Sequence, residues 1–184
     1  MFSKENIRQS LLKQRMNLTE NEVNKASKEC LHRLMFLAEY QDCNILLLYA
    51  PIRNEVDTFP LIEDALSKNK VVGLPVTEDE GEMYFYSVFD LSDLKPGKFG
   101  ILEPPTDILV EPTKDTLMLL PAVAYDTRKN RIGYGGGYYD RYLARYEDFC
   151  KIGLAYDFQI MDGFEVDEHD QKVNYIITQS QLIV

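Results

Sequence analysis

Five stretches of this chain, residues 44–50, 71–76, 116–125, 149–156 and 173–178, are apolar almost without interruption instead of alternating with polar residues. A strand of that kind has no face to offer to water, so it belongs in a sheet covered on both sides. Such sheets are largely parallel, because the helices that return the chain to the start of the next strand supply the cover. Between the first two runs, Asp57 or Thr58 with Pro60 opens a helix reaching about Ser67, which completes a β-α-β unit. Ahead of the first run, Ser3 is placed to cap a helix carrying Ile7, Leu11 and Leu12. Thr19 and Glu22 form a capping box for a second, with Val23, Ala26, Cys30 and Leu34 on one face. Residues 83–88 read as a further strand, 95–112 as a long irregular connection rich in proline and glycine, and a helix follows the third run through about Tyr146. The expectation is one α/β domain over residues 1–184. It has three layers, a mostly parallel sheet, helices on both faces and two helices before the first strand.

Several function classes lack their parts. The 30 acidic and 20 basic residues give a formal charge of −10, which repels nucleic acid and anionic lipid. Cys30, Cys43 and Cys150 are odd in number and widely spaced, which suits neither a disulfide framework nor a zinc site. Two histidines and no G-x-S-x-G leave a Ser-His-Asp hydrolase without components. The first residues turn polar at once and no apolar run is long enough to span a bilayer, so the chain is expected in the cytoplasm.

In parallel sheets, ligands bind beyond the carboxyl ends of the strands. After the most apolar run comes a segment in which Gly133, Gly135, Gly136 and Gly137, four of the ten glycines, fall within five residues ahead of a helix. Glycines permit close backbone approach, and a helix start offers free N–H groups, so this is equipment for phosphate. The pattern is neither Walker A nor G-x-G-x-x-G, and a flexible strand-to-helix turn is the plain alternative. Arg128, Lys129, Arg131, Arg141 and Arg145 put five of twenty basic residues around it. Arg141 and Arg145 are a like-charge pair one turn apart, unfavourable by about 0.2–0.5 kcal/mol on an isolated helix. Either an anionic ligand or Glu147 and Asp148 would offset that. Tyr139, Tyr142 and Tyr146 at helical spacing read as core, whereas Tyr134 inside the glycine run does not. Asp140, in the first helical turn, either interacts with the helix dipole or shares a cation with bound phosphate, Mg²⁺ being the natural one. Lys4 and Arg8 lie one turn apart on the first helix, in a segment that also holds Lys13 and Arg15. Residues 157–170 contain six acids and no lysine or arginine.

The run Leu120-Pro-Ala-Val-Ala-Tyr-Asp126 followed by Asn130-Arg-Ile-Gly-Tyr-Gly-Gly-Gly-Tyr-Tyr-Asp-Arg141 resembles the main motif of the 5-formyltetrahydrofolate cyclo-ligases, also called methenyltetrahydrofolate synthetases. Four further elements follow that family's order: residues 4–8, 49–57, 99–104, and His169-Asp170. The resemblance implies an enzyme that uses ATP and Mg²⁺ to convert 5-formyltetrahydrofolate to 5,10-methenyltetrahydrofolate, releasing ADP and phosphate. It implies that Lys4, Arg8, Arg131, Gly133, Tyr134, Gly135, Gly136, Gly137, Tyr138 and Tyr139 meet ATP. By the same resemblance Ala50, Glu55 and residues 134–138 border the folate, and Asp140 and Asp170 hold magnesium. Some members carry a basic residue where this chain has Gly136. The expected partners are these small molecules, with no nucleic acid or membrane, and the chain is expected as a monomer or weak dimer. No side-chain nucleophile is required, which agrees with the missing triads.

Overall fold

The structure, a computed structural model, describes residues 3–78, 81–146 and 148–184. Ser3 accepts the Asn6 amide at 3.3 Å and starts α1 (Lys4–Met16), and the Thr19–Glu22 capping box starts α2 (Glu20–Met35). A short α3 (Ala38–Asp42) follows, so three helices rather than two precede the first strand, β1 (Ile45–Leu47). At α4 (Phe59–Ser67) it is Asp57 that caps, accepting the Phe59 amide at 3.0 Å, while the buried Thr58 hydroxyl donates to the Tyr49 carbonyl at 2.6 Å. Then come β2 (Val71–Thr77), β3 (Met83–Val88), β4 (Lys95–Pro96), β5 (Leu102–Glu103), β6 (Thr116–Leu120), β7 (Ala124–Asp126) and β8 (Arg131–Ile132). The chain ends with α5 (Tyr138–Leu143), β9 (Cys150–Leu154), β10 (Ile160–Met161), β11 (Tyr175–Ile177) and β12 (Leu182–Ile183).

Seven strands form the main sheet in the order β12-β11-β9-β6-β1-β2-β3. The inner contacts are parallel, and the two edge strands, β3 and β12, run antiparallel. Alternate residues of the parallel strands serve opposite layers. Leu46, Leu48, Leu117 and Leu119 pack with α2, α3 and α4, whereas Leu47, Met118 and Leu120 pack with Tyr142 and Leu143 of α5. Both faces are therefore covered, as the continuous apolar runs require.

Three further expectations are corrected. The single strand over 116–125 is two strands, because Pro121 has no N–H for the ladder and the chain leaves the main sheet there. Its freed carbonyls are met by side chains: Ala122 by Arg15 (3.0 Å) and Gln159 (3.1 Å), Val123 by Gln159 (2.9 Å). β7 then builds a small separate sheet with β8 and β10. The connection 95–112 is not wholly irregular, since β4 and β5 pair and Val110 donates to Phe85 at 2.8 Å, which covers the β3 edge. Finally, α5 stops at Leu143. Beyond it Arg145 bonds back only three residues, to Tyr142, and its side chain is tied to the Met83 carbonyl at 2.9 Å and to Glu82. Tyr142 is buried and Tyr139 and Tyr146 are half-buried against it, as their spacing suggests.

Candidate active site

β1 lies between β2 and β6, and the chain departs from this point in both directions, covering one side of the sheet with α4 and the other with α5. Ligands in open α/β sheets bind at such a switch point. A cavity of about 660 Å³ opens here, at the carboxyl ends of β1, β2 and β6. All five sequence elements contribute to its lining: Lys4 and Arg8 from α1, Tyr49, Ala50 and Glu55 after β1, Phe99, Ile101 and Glu103 around β5, residues 131–140, and Asp170. His169 stays exposed outside it.

One end of the cavity is ionic. Arg131, 4% exposed at its side chain, donates from Nη2 to Asp140 at 2.6 Å and lies over the Tyr139 ring at 5.6 Å, while its Nε has no partner. Lys4 donates to Asp170 and Asp167, both at 2.5 Å. Burial opposes the Lys4 charge, but these hydrogen bonds and charges outweigh it and raise the Lys4 pKa. Arg8 Nε donates to the Gly133 carbonyl at 2.8 Å and ties α1 to the glycine loop. Within that loop Gly135 and Gly137 take left-handed backbone, φ +97° and +68°, where a side chain would be strained.

The other end is buried. Glu55, 6% exposed, accepts the Ile52 amide at 2.9 Å and the Tyr134 hydroxyl, and that hydroxyl in turn accepts from Arg15. Burial raises the pKa of Glu55, and the Arg15 charge and the Tyr134 hydrogen bond pull it back. Burial and the neighbouring Glu55 charge push the Tyr134 phenol well above its usual range. Ala50, 4% exposed, borders this end.

Of the five basic residues around the glycines, only Arg131 lines the cavity. Arg141 instead donates to the carbonyls of Gly81 (2.7 Å) and Gly136 (2.9 Å), and Arg145 pairs with Glu82, so no bound anion is needed to offset their repulsion. Of the two acids expected in that role, Glu147 lies outside the described residues and Asp148 is exposed, and it is Glu82 that pairs with Arg145. Sequence reasoning left Arg15, Thr77 and Asp167 without a place. Arg15 lies eleven residues after Lys4, about three helical turns, and so on the same face of α1. That spacing was the available signal. Thr77, in the cavity wall, has a buried hydroxyl without a partner.

A model of the 5-formyltetrahydrofolate cyclo-ligase family matches residues 1–179. This chain belongs to that family. The cyclo-ligase of Haemophilus influenzae is 31% identical over 173 residues, covering 91% of this chain and 92% of its own. Among solved structures, 5,10-methenyltetrahydrofolate synthetase of Aquifex aeolicus superposes with a TM-score of 0.86 at 35% identity, covering 97% of this chain and 91% of its own. The synthetase of Mycoplasma pneumoniae does so at 0.79 and 26% identity, covering 97% and 99%. The fold is thus the cyclo-ligase fold, and the chain is a ligase that forms a carbon–nitrogen bond. None of its helices among the described residues is long and apolar enough to cross a membrane. Cys30, Cys43 and Cys150 are free and none of them lines the cavity, and burial pushes Cys30 and Cys150 up to about 12.

Proposed function

We propose that this cyclo-ligase closes 5-formyltetrahydrofolate to 5,10-methenyltetrahydrofolate at the expense of ATP, releasing ADP and phosphate, and that it does so as a single domain, a monomer or weak dimer, in the cytoplasm. The observation that carries the reading is one cavity with two chemically different ends. The ionic end has the cations a triphosphate needs, and the buried end has an acceptor carboxylate for a flat heterocycle.

A formamide oxygen is a poor leaving group, so ring closure by N10 needs it activated. The formyl oxygen attacks the γ-phosphorus and ADP departs. N10 then adds to the resulting N5-iminium phosphate carbon, and phosphate leaves with the former formyl oxygen and the N10 proton. Phosphoryl transfer of this type rests on positioning and charge neutralisation. Lys4 and Arg131 supply positive charge, with Arg8 holding the loop. The backbone of residues 133–137 approaches the phosphates, and Tyr138 and Tyr139 close the side next to α5. Glu55 accepts hydrogen bonds from the N–H groups of the pterin, beside Ala50 and Tyr134.

Among the described residues no three acidic, cysteine or histidine side chains gather closely enough to hold a metal by themselves. Magnesium does not need that, since it binds through one or two carboxylates together with phosphate oxygens and water. Asp140 and Asp170, both facing the cavity, fit it. Bound there, magnesium would neutralise charge on the phosphates. Without ligands these two carboxylates hold Arg131 and Lys4. With a metal on these carboxylates, Arg131 and Lys4 would be free to turn to the triphosphate.

Two measurements test this. The methenyl chromophore is expected to appear from 5-formyltetrahydrofolate only when ATP and Mg²⁺ are both present; no turnover with all three components would sink the reading. In calorimetry, chelating the metal is expected to weaken ATP binding by at least about tenfold through this exchange, leaving folate binding unchanged. Equal ATP affinity with and without metal contradicts the placement of Asp140 and Asp170.

A further inference from the structure

Arg15 is 1% exposed, the most deeply buried cation among the described residues, and it does not line the cavity. Its guanidinium is committed to the wall behind it. Nε donates to the Arg53 carbonyl at 2.9 Å, Nη1 to the Ala122 carbonyl at 3.0 Å, and Nη2 to the Tyr134 hydroxyl. Nη2 also stands 3.9 Å from the Glu55 carboxylate, and the guanidinium lies over the Tyr134 ring, 5.6 Å from its centroid. Arg53 covers the same ring at 5.7 Å. Burying a guanidinium is costly unless its donors are used, so the fold that buries this one fixes the three segments it joins. Each segment carries part of the buried end of the cavity: the turn that ends in Glu55, the break after β6, and the glycine loop.

The carboxylate of Glu55 offers about four lone-pair sites. Ile52 takes one on Oε2 and Tyr134 one on Oε1, which leaves acceptor capacity for a ligand. We propose that Arg15 is a positioning residue for the folate end of the cavity: its fork fixes the Tyr134 hydroxyl against Glu55, so that Glu55 presents an anionic acceptor to the donor edge of the pterin and the Tyr134 ring stays clear of the space the pterin fills. The inference rests on the folate reading of the cavity given above. A lysine at position 15 is a point charge and does not reproduce a fork with three acceptors in three directions.

The test is calorimetric titration with 5-formyltetrahydrofolate alone, and separately with ATP and Mg²⁺, of the wild type, Arg15→Gln, Glu55→Gln and the double variant. Arg15→Gln is expected to weaken folate binding about 10- to 100-fold and to leave nucleotide affinity within about twofold. The double variant is expected to bind folate no more weakly than Glu55→Gln, because the two residues act as one unit. In steady state the loss falls on KM for the folate, with kcat changed less than about threefold. Losses that add in the double variant, that fall equally on folate and nucleotide, or that are absent overturn the inference. Should Arg15→Gln not fold, Arg15→Lys keeps the charge but loses the fork, and is judged by the same criteria. A wild type that binds no 5-formyltetrahydrofolate overturns the functional reading and this inference with it.

Discussion

Asp140→Asn is expected to lower kcat by about a thousandfold while folate affinity and thermal stability stay close to the wild type. Asparagine keeps the shape of the side chain and an oxygen for the Arg131 hydrogen bond, so the local structure has little reason to change. It loses the negative charge that suits a divalent cation, and a metal together with a positioned arginine accounts for several orders of magnitude in phosphoryl transfer. The carboxylate is also 30% exposed, so neutralising it relieves no large burial penalty. The measurement is the initial rate of methenyl formation beside folate titration and a thermal melt. Retention of more than about a tenth of the rate would remove Asp140 from the reaction, and a large fall in melting temperature would make its role structural. The same assay separates an enzyme from a non-catalytic folate or nucleotide sensor on this fold, which has no turnover to lose.

Gly153→Ala is expected to destabilise the fold by about 3 kcal/mol, a fall in melting temperature of about 6–12 °C for a chain of this size. Gly153 sits inside β9, paired with β6 on one side and β11 on the other. A Cβ there would press on the Tyr125 ring, 2.6 Å from its hydroxyl oxygen and 2.7 Å from Cε1. Tyr125 is fully buried and its hydroxyl donates to the Leu120 carbonyl at 2.7 Å, so it has no empty space to move into. This is where β7 of the small sheet lies across the main one. Equilibrium unfolding with urea or heat measures the effect, and a shift below about 2 °C would mean the Tyr125 contact is far softer than the packing indicates.

Much of the scaffold is legible in the residues because its signals are local. The capping box at Thr19 and the cap at Ser3 involve residues three apart, and the continuous apolar runs specify parallel strands with cover on both faces. β7, β8 and β10 are two or three residues long and have no period to detect, so their small sheet is invisible in the sequence. The length of the third run concealed the break at Pro121, although the proline itself was the available warning. In the site, the sequence pointed to Lys4, Arg8, Glu55 and residues 131–140, which line the cavity, but not to Thr77 or Asp167, and the pairing of the side chains could not be read. Nothing local says that Lys4 meets Asp170 across 166 positions, or that Arg15, on a mostly polar helix, is buried under Tyr134. A basic helix face reads as solvated until the acceptors that bury it are known, and those of Arg15 come from positions 53, 122 and 134.

The fastenings of α1 also bear on how the protein comes together. Lys4, Arg8 and Arg15 are bound to partners between 38 and 166 positions away, and of its apolar residues only Ile7 is buried. Contacts of such long range carry a loop-closure cost that neighbouring pairs in a helix do not. This helix therefore holds its wall of the cavity only where the folded sheet presents the acceptors of Lys4, Arg8 and Arg15. The cavity is thus assembled from segments that only the whole fold brings together.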